Sequence, residues 1–136
     1  MEFIMKTFKE YLNESRDEEK PGTSDKKKIE DLTPGDKCVF MYKNNGVKYI
    51  ECTFLGFTDD TQQYGKGSKI SFKTQKELLT HYKVKTLAQL EALQDKNEYG
   101  YHSYMILKMV SGQVFNSYVF KGKWTIGSGA DKITLV

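Results

Sequence analysis

The stretch that most constrains the fold is Lys37–Leu55. The runs Lys37-Cys38-Val39-Phe40-Met41-Tyr42-Lys43 and Val47-Lys48-Tyr49-Ile50-Glu51-Cys52-Thr53-Phe54-Leu55 flank Asn44-Asn45-Gly46. Both runs are rich in β-branched and aromatic residues. Asn-Gly supplies the left-handed backbone that a tight reversal needs, so the stretch reads as a β-hairpin. A three-residue loop at Asn44–Gly46 pairs Lys43 with Val47 and Cys38 with Cys52. One face then carries Cys38, Phe40, Ile50, Cys52 and Phe54. A one-residue slip would mix Glu51 and Thr53 into that face, so the need to bury it sets the register. The two thiols, opposite each other, read as small buried hydrophobes in preference to a redox pair or two metal ligands.

The rest of the body follows the same logic. Asp31-Leu32-Thr33-Pro34-Gly35-Asp36 is a turn ahead of the hairpin. Thr58–Lys69 is a polar loop and Lys69–Lys73 a short strand. Thr74-Gln75-Lys76-Glu77 forms a capping box with Leu78, Leu79 and Tyr82 behind it, and Thr86 starts a second helix with a Leu87, Leu90, Leu93 stripe. Strands resume at Tyr101–Val110, Val114–Phe120, Lys123–Ile126 and Lys132–Val136. Met105, Ile106, Leu107 and Met109 show little alternation, which marks a strand covered on both faces. The expected fold is α+β: a small antiparallel β-barrel or strongly bent sheet with a two-helix insert. The opening Leu32-x-x-Gly35-Asp36-x-Cys38-Val39 has an SH3-like look.

Charge divides the chain. Of 21 basic residues only Arg16 is an arginine, and the formal charge is +3. Residues 1–36 hold seven basic against ten acidic residues, a net −3, and residues 37–136 hold fourteen lysines against eight acidic residues, a net +6. Ser15 through Lys28 contains no aliphatic or aromatic residue, the composition of a charged linker. The chain thus divides into a leader at 1–14, a disordered charged linker at 15–30 and one globular domain at 31–136. At 38% hydrophobic and 13% aromatic residues the chain is not disordered throughout. No apolar run approaches the roughly 18 residues of a membrane span. Two cysteines and no secretory signal pattern point to a reducing compartment.

Before the linker, Ile4, Phe8, Tyr11 and Leu12 fall on one face of a short amphipathic helix. About ten residues of helix are marginal alone in water, so the segment must dock, either on its own domain or on a partner. The string Met5-Lys6-Thr7-Phe8-Lys9-Glu10-Tyr11-Leu12-Asn13-Glu14-Ser15 resembles the capsid-targeting leader of internal head proteins of large myovirus phages. Those leaders open near Met-Lys-Thr-aromatic and close on a Leu/Ile-x-Glu site cut by the prohead protease. The resemblance implies recognition through Phe8, Tyr11 and Leu12 and cleavage between Glu14 and Ser15. Either Met1 or Met5 can be the start; Met5 fits the family better.

The body offers little chemistry. His81 and His102 join the two cysteines in no metal-ligand spacing, no Gly-x-Ser-x-Gly elbow exists, and Asp59-Asp60 reads as a solvated turn. Gly65-Lys66-Gly67-Ser68-Lys69 lacks the spacing of a phosphate loop. No enzyme, cofactor or metal site is expected. Lysines interleaved with aromatics make Lys43, Lys48, Tyr49, Lys121, Lys123 and Trp124 the candidates for nucleic-acid contact through diffuse attraction and stacking. The plainer reading, lysines guarding strand edges, is preferred.

By resemblance the chain is an internal head protein, packaged in the capsid through its leader, processed after Glu14 and then carried into the host cytoplasm with the DNA to counter a host defence. Its expected partners are the prohead core or scaffold, the protease, packaged DNA and a host protein, with no membrane. The alternative is a cytoplasmic small-barrel nucleic-acid-binding protein with an N-terminal docking helix.

Overall fold

The computed structural model describes residues 21–59, 69–96, 102–127 and 131–136. The hairpin forms as the alternation requires. Strands β1 (Lys37–Lys43) and β2 (Val47–Thr58) pair with Lys43 opposite Val47 and Cys38 opposite Cys52. Asn45 and Gly46 take the positive φ values of 57° and 113° that the reversal needs. Cys38, Phe40, Cys52 and Phe54 are buried on the shared face, and Ile50 packs against them.

Two helices follow, α1 (Gln75–His81) and α2 (Leu87–Asp95). Each is capped as its sequence specifies. Thr74 Oγ1 accepts the Glu77 N–H at 3.1 Å, and Thr86 Oγ1 accepts the Gln89 N–H at 3.1 Å. The glutamate and glutamine reach back in turn, accepting the Lys73 and Lys85 N–H groups. Strands β3 (Tyr104–Met109), β4 (Val114–Phe120), β5 (Lys123–Ile126), β6 (Asp131–Lys132) and β7 (Thr134–Leu135) complete an antiparallel sheet in the order β6-β5-β4-β3-β2-β1-β7. Only Ile133 separates β6 at one end of that order from β7 at the other. The two ends therefore meet, and the sheet curls into a nearly closed barrel. Met105, Ile106 and Leu107 are all buried, as a strand covered on both faces demands.

Four details differ from the sequence reading. The strand expected at Lys69–Lys73 is a single bridge from Phe72 to Phe57. There the segment crosses close over Gly56, where a Cβ would stand 2.6 Å from Ile70 Cγ2 and 2.9 Å from the Phe72 carbonyl oxygen. With φ at 131° as well, the position admits only glycine. On α2 the buried face runs through Leu90 and Gln94, while Leu93 is 44% exposed. Gln94 goes inward because it has a polar partner there. Trp124, expected on the surface, is 3% exposed and stacks against Phe57 at 5.3 Å.

Residues 21–30, expected as linker, are fastened to the barrel. The Ser24 N–H donates to the Val136 carbonyl, and Ser24 Oγ accepts the Val39 N–H at 2.8 Å. The Lys37 N–H donates to Asp25 Oδ2 at 2.9 Å, and the Asp25 N–H returns a bond to the Lys37 carbonyl. β7 covers β1 only at Phe40 and Met41, so Ser24 and Asp25 satisfy the open edge at Lys37–Val39. A short 3-10 turn at Ile29–Asp31 then leads to Leu32, which is fully buried.

Candidate functional site

The candidate residues that the structure describes fall into separate groups. Phe8, Tyr11, Leu12, Glu14 and Ser15 lie outside the described residues. Lys43, Lys48 and Tyr49 sit at the β1–β2 reversal, where Tyr42 pairs with Lys48 and Met41 with Tyr49. Lys121 and Lys123 sit at the β4–β5 reversal. The antiparallel register through β3 puts that turn at the opposite end of the sheet. Trp124 is withdrawn from both groups, because its indole N–H donates to Gln75 Oε1 at 3.0 Å inside the domain. A single basic-aromatic strip that could follow a nucleic-acid strand is therefore not formed by these six residues.

The cysteines behave as core. Both are free and buried. A hydrogen bond with Cys38, reinforced by burial, pushes the Cys52 thiol up, so it stays protonated and unreactive at neutral pH. Among the described residues no group of three His, Cys, Asp or Glu side chains converges as a metal site. His81 is exposed on α1 with its ring against Phe72 and Tyr82. His102 borders a cavity of about 370 Å³ between α2, β3 and β4.

Two polar arrangements escaped the sequence reading. Gln94 and Ser103, both buried, bond twice. Gln94 Nε2 donates to Ser103 Oγ at 2.8 Å, and the Ser103 N–H donates to Gln94 Oε1 at 3.1 Å. Next to them the Tyr82 hydroxyl donates to Asp59 Oδ2 at 2.8 Å. Burial, then the Asp59 carboxylate, push Tyr82 up to about 12, so it is a fixed donor. The second arrangement is a clasp. Lys121 and Gly122 form the β4–β5 turn with φ of 54° and 75°, and Glu91 of α2 accepts both of their N–H groups at 3.0 and 2.8 Å. The carboxylate thereby holds a non-glycine residue in the left-handed region. Gly122 also lets the helix approach, since a Cβ there would stand 3.2 Å from Ala88 Cβ. Both arrangements position helices on the barrel.

Two adjoining cavities of about 650 and 500 Å³ border β1, β2 and the end of β3 and share Pro21, Glu51, Met109 and Val110. Among the described residues no helix is long and apolar enough to cross a membrane. No protein-family model, curated protein or solved structure matches the chain.

Proposed function

We propose that the chain is an internal head protein of a large myovirus-type phage. In this reading it is a small barrel delivered into the prohead by residues 1–14 and released there by cleavage after Glu14. The observation that carries this reading is the string Met5–Ser15, with its aromatic-aliphatic face and its closing Leu12-Asn13-Glu14. A second fact supports it. Glu14 is the only glutamate in the chain that has Leu or Ile two residues before it. A protease reading Leu/Ile-x-Glu would therefore cut once and spare the body. The described elements begin at Ile29, so that cut leaves each of them whole.

Cleavage removes Lys6 and Lys9 along with Glu2, Glu10 and Glu14, and raises the net charge from +3 to +4. The mature protein stays with packaged DNA through diffuse lysine attraction that reads no base sequence. It enters the host with the DNA and there meets the host defence protein that it counters. No catalytic step is assigned to it.

Mass spectrometry of protein extracted from purified virions tests the reading. A mature N-terminus at Ser15 is expected. An intact Met1 or Met5, or absence from virions, overturns it.

A further inference from the structure

Three sulfur-bearing side chains fall in one row across β1, β2 and β3. Cys38 stands opposite Cys52, and Cys52 stands opposite Met109. Alternation along β3 turns Met109 to the same side as Met105 and Leu107, which share the core with Cys38 and Cys52. All three sulfur side chains therefore project from one face of the sheet. Spacing in the sequence hides the row, because its third member is a methionine on a distant strand.

The ladder sets how close the three stand. The Asn44 N–H donates to the Gly46 carbonyl at 2.9 Å. Counting by twos from that pair makes Cys38 and Cys52 a hydrogen-bonded pair, with Cα atoms about 5.5 Å apart. Cys52 thus directs its backbone groups to β1, and Met109 sends its N–H the other way, to the Gln113 carbonyl at 2.8 Å. Cys52 and Met109 are consequently a non-hydrogen-bonded pair, with Cα atoms about 4.5 Å apart and side chains closer. The two thiols hydrogen-bond each other, so one ion can touch both sulfurs. Met109 has three side-chain torsions with which to bring its thioether to them. The row also opens outward: Cys38 is 2%, Cys52 5% and Met109 36% exposed, so an arriving ion meets the thioether first.

The donor set selects the ion. Among the described residues no His, Asp or Glu joins the two cysteines as a third donor. Zinc takes four ligands from thiolate, imidazole and carboxylate. Two thiolates with a thioether are soft throughout and suit Cu(I).

We propose that Cys38, Cys52 and Met109 form a three-sulfur site for the soft monovalent cation Cu(I). Binding makes one bond from the ion to each sulfur and releases both S–H protons to solvent, and no electron is transferred. The ion ties β1, β2 and β3 together where β3 leaves the core. The site does not rest on the phage reading.

Methyl NMR of the full chain tests it, with Ag(I) as a redox-inert stand-in for Cu(I). One of the five methionine methyl signals should move and saturate at one ion per chain, and that signal should be missing from Met109→Leu. In competition with bicinchoninate under anaerobic conditions, Cu(I) affinity should fall about tenfold in Met109→Leu and about a hundredfold in Cys52→Ala. Met109→Leu conserves volume at a partly exposed position, so its result does not depend on how Cys52→Ala folds. Methionine methyls that do not move, or equal Cu(I) affinity in wild type and Met109→Leu, overturn the proposal. Saturation at one ion per two chains also overturns it, since the ion would then bridge two copies.

Discussion

The β1–β2 hairpin and the α1–α2 insert are held to the same barrel in opposite ways. The hairpin is fixed by one apolar face and a continuous ladder between strands adjacent in sequence. The insert has two fully buried apolar anchors, Leu78 and Leu90. Leu79, Tyr82, Val84 and Leu87 add partly buried packing, and polar contacts to distant residues fix its position: Gln75 to Trp124, Tyr82 to Asp59, and Glu91 to the Lys121–Gly122 turn. Apolar burial is strong but non-directional, so it sets which face turns inward. Hydrogen bonds contribute less net energy but have strict geometry, so they set where a short helix lies.

If that contrast holds, truncating the hairpin core costs most. Phe54 is fully buried and stacks edge-on to Phe57 at 5.3 Å. Phe54→Ala should lose about 3–5 kcal/mol, read as a lower urea midpoint. A loss near 1 kcal/mol would mean that the barrel interior collapses around the gap and the contrast is false.

Cutting the clasp on the insert comes next. Glu91→Ala strands two turn N–H groups and leaves Lys121 strained, with an expected cost of about 1–3 kcal/mol. Amide exchange at Lys121 and Gly122 should quicken while Cys38 and Cys52 stay protected. Equal quickening in the hairpin would show that the two regions open as one unit. A cap is worth less. Thr86→Ala removes the bond to the Gln89 N–H and should cost about 1 kcal/mol, seen as a small loss of helical signal before the sheet melts.

The same division explains what could be read from the chain. The hairpin register, the capped starts at Thr74 and Thr86 and the α+β barrel with its helical insert were legible because each depends on residues a few positions apart. Gln94 inside and Leu93 outside were not, because Gln94 turns inward to meet Ser103, and spacing alone favours the leucine. Trp124 looked available for stacking because its partner Gln75 lies 49 residues away. The two adjoining cavities need three strands in register and the approach of Pro21 before they exist at all.

Residues 24–36 share features of both regions, and Asp36 tests which dominates. Its carboxylate accepts the Thr33 N–H at 2.8 Å and pairs with Lys26 Nζ at 2.9 Å. The Thr33 N–H first, then Lys26, hold Asp36 below its ordinary 3.8. A carboxyl lowered on folding stabilises the fold fully at pH above its unfolded value near 4, and that contribution fades as pH falls through the folded value. Lys26 is 40% exposed, so solvent screening keeps the ion-pair contribution under about 1 kcal/mol. Asp36→Asn should therefore lower the urea midpoint slightly at neutral pH, and its difference from wild type should shrink as pH drops from about 4 toward 2. A difference that stays constant with pH would place residues 24–36 with the insert, held by the geometry of their hydrogen bonds and not by charge.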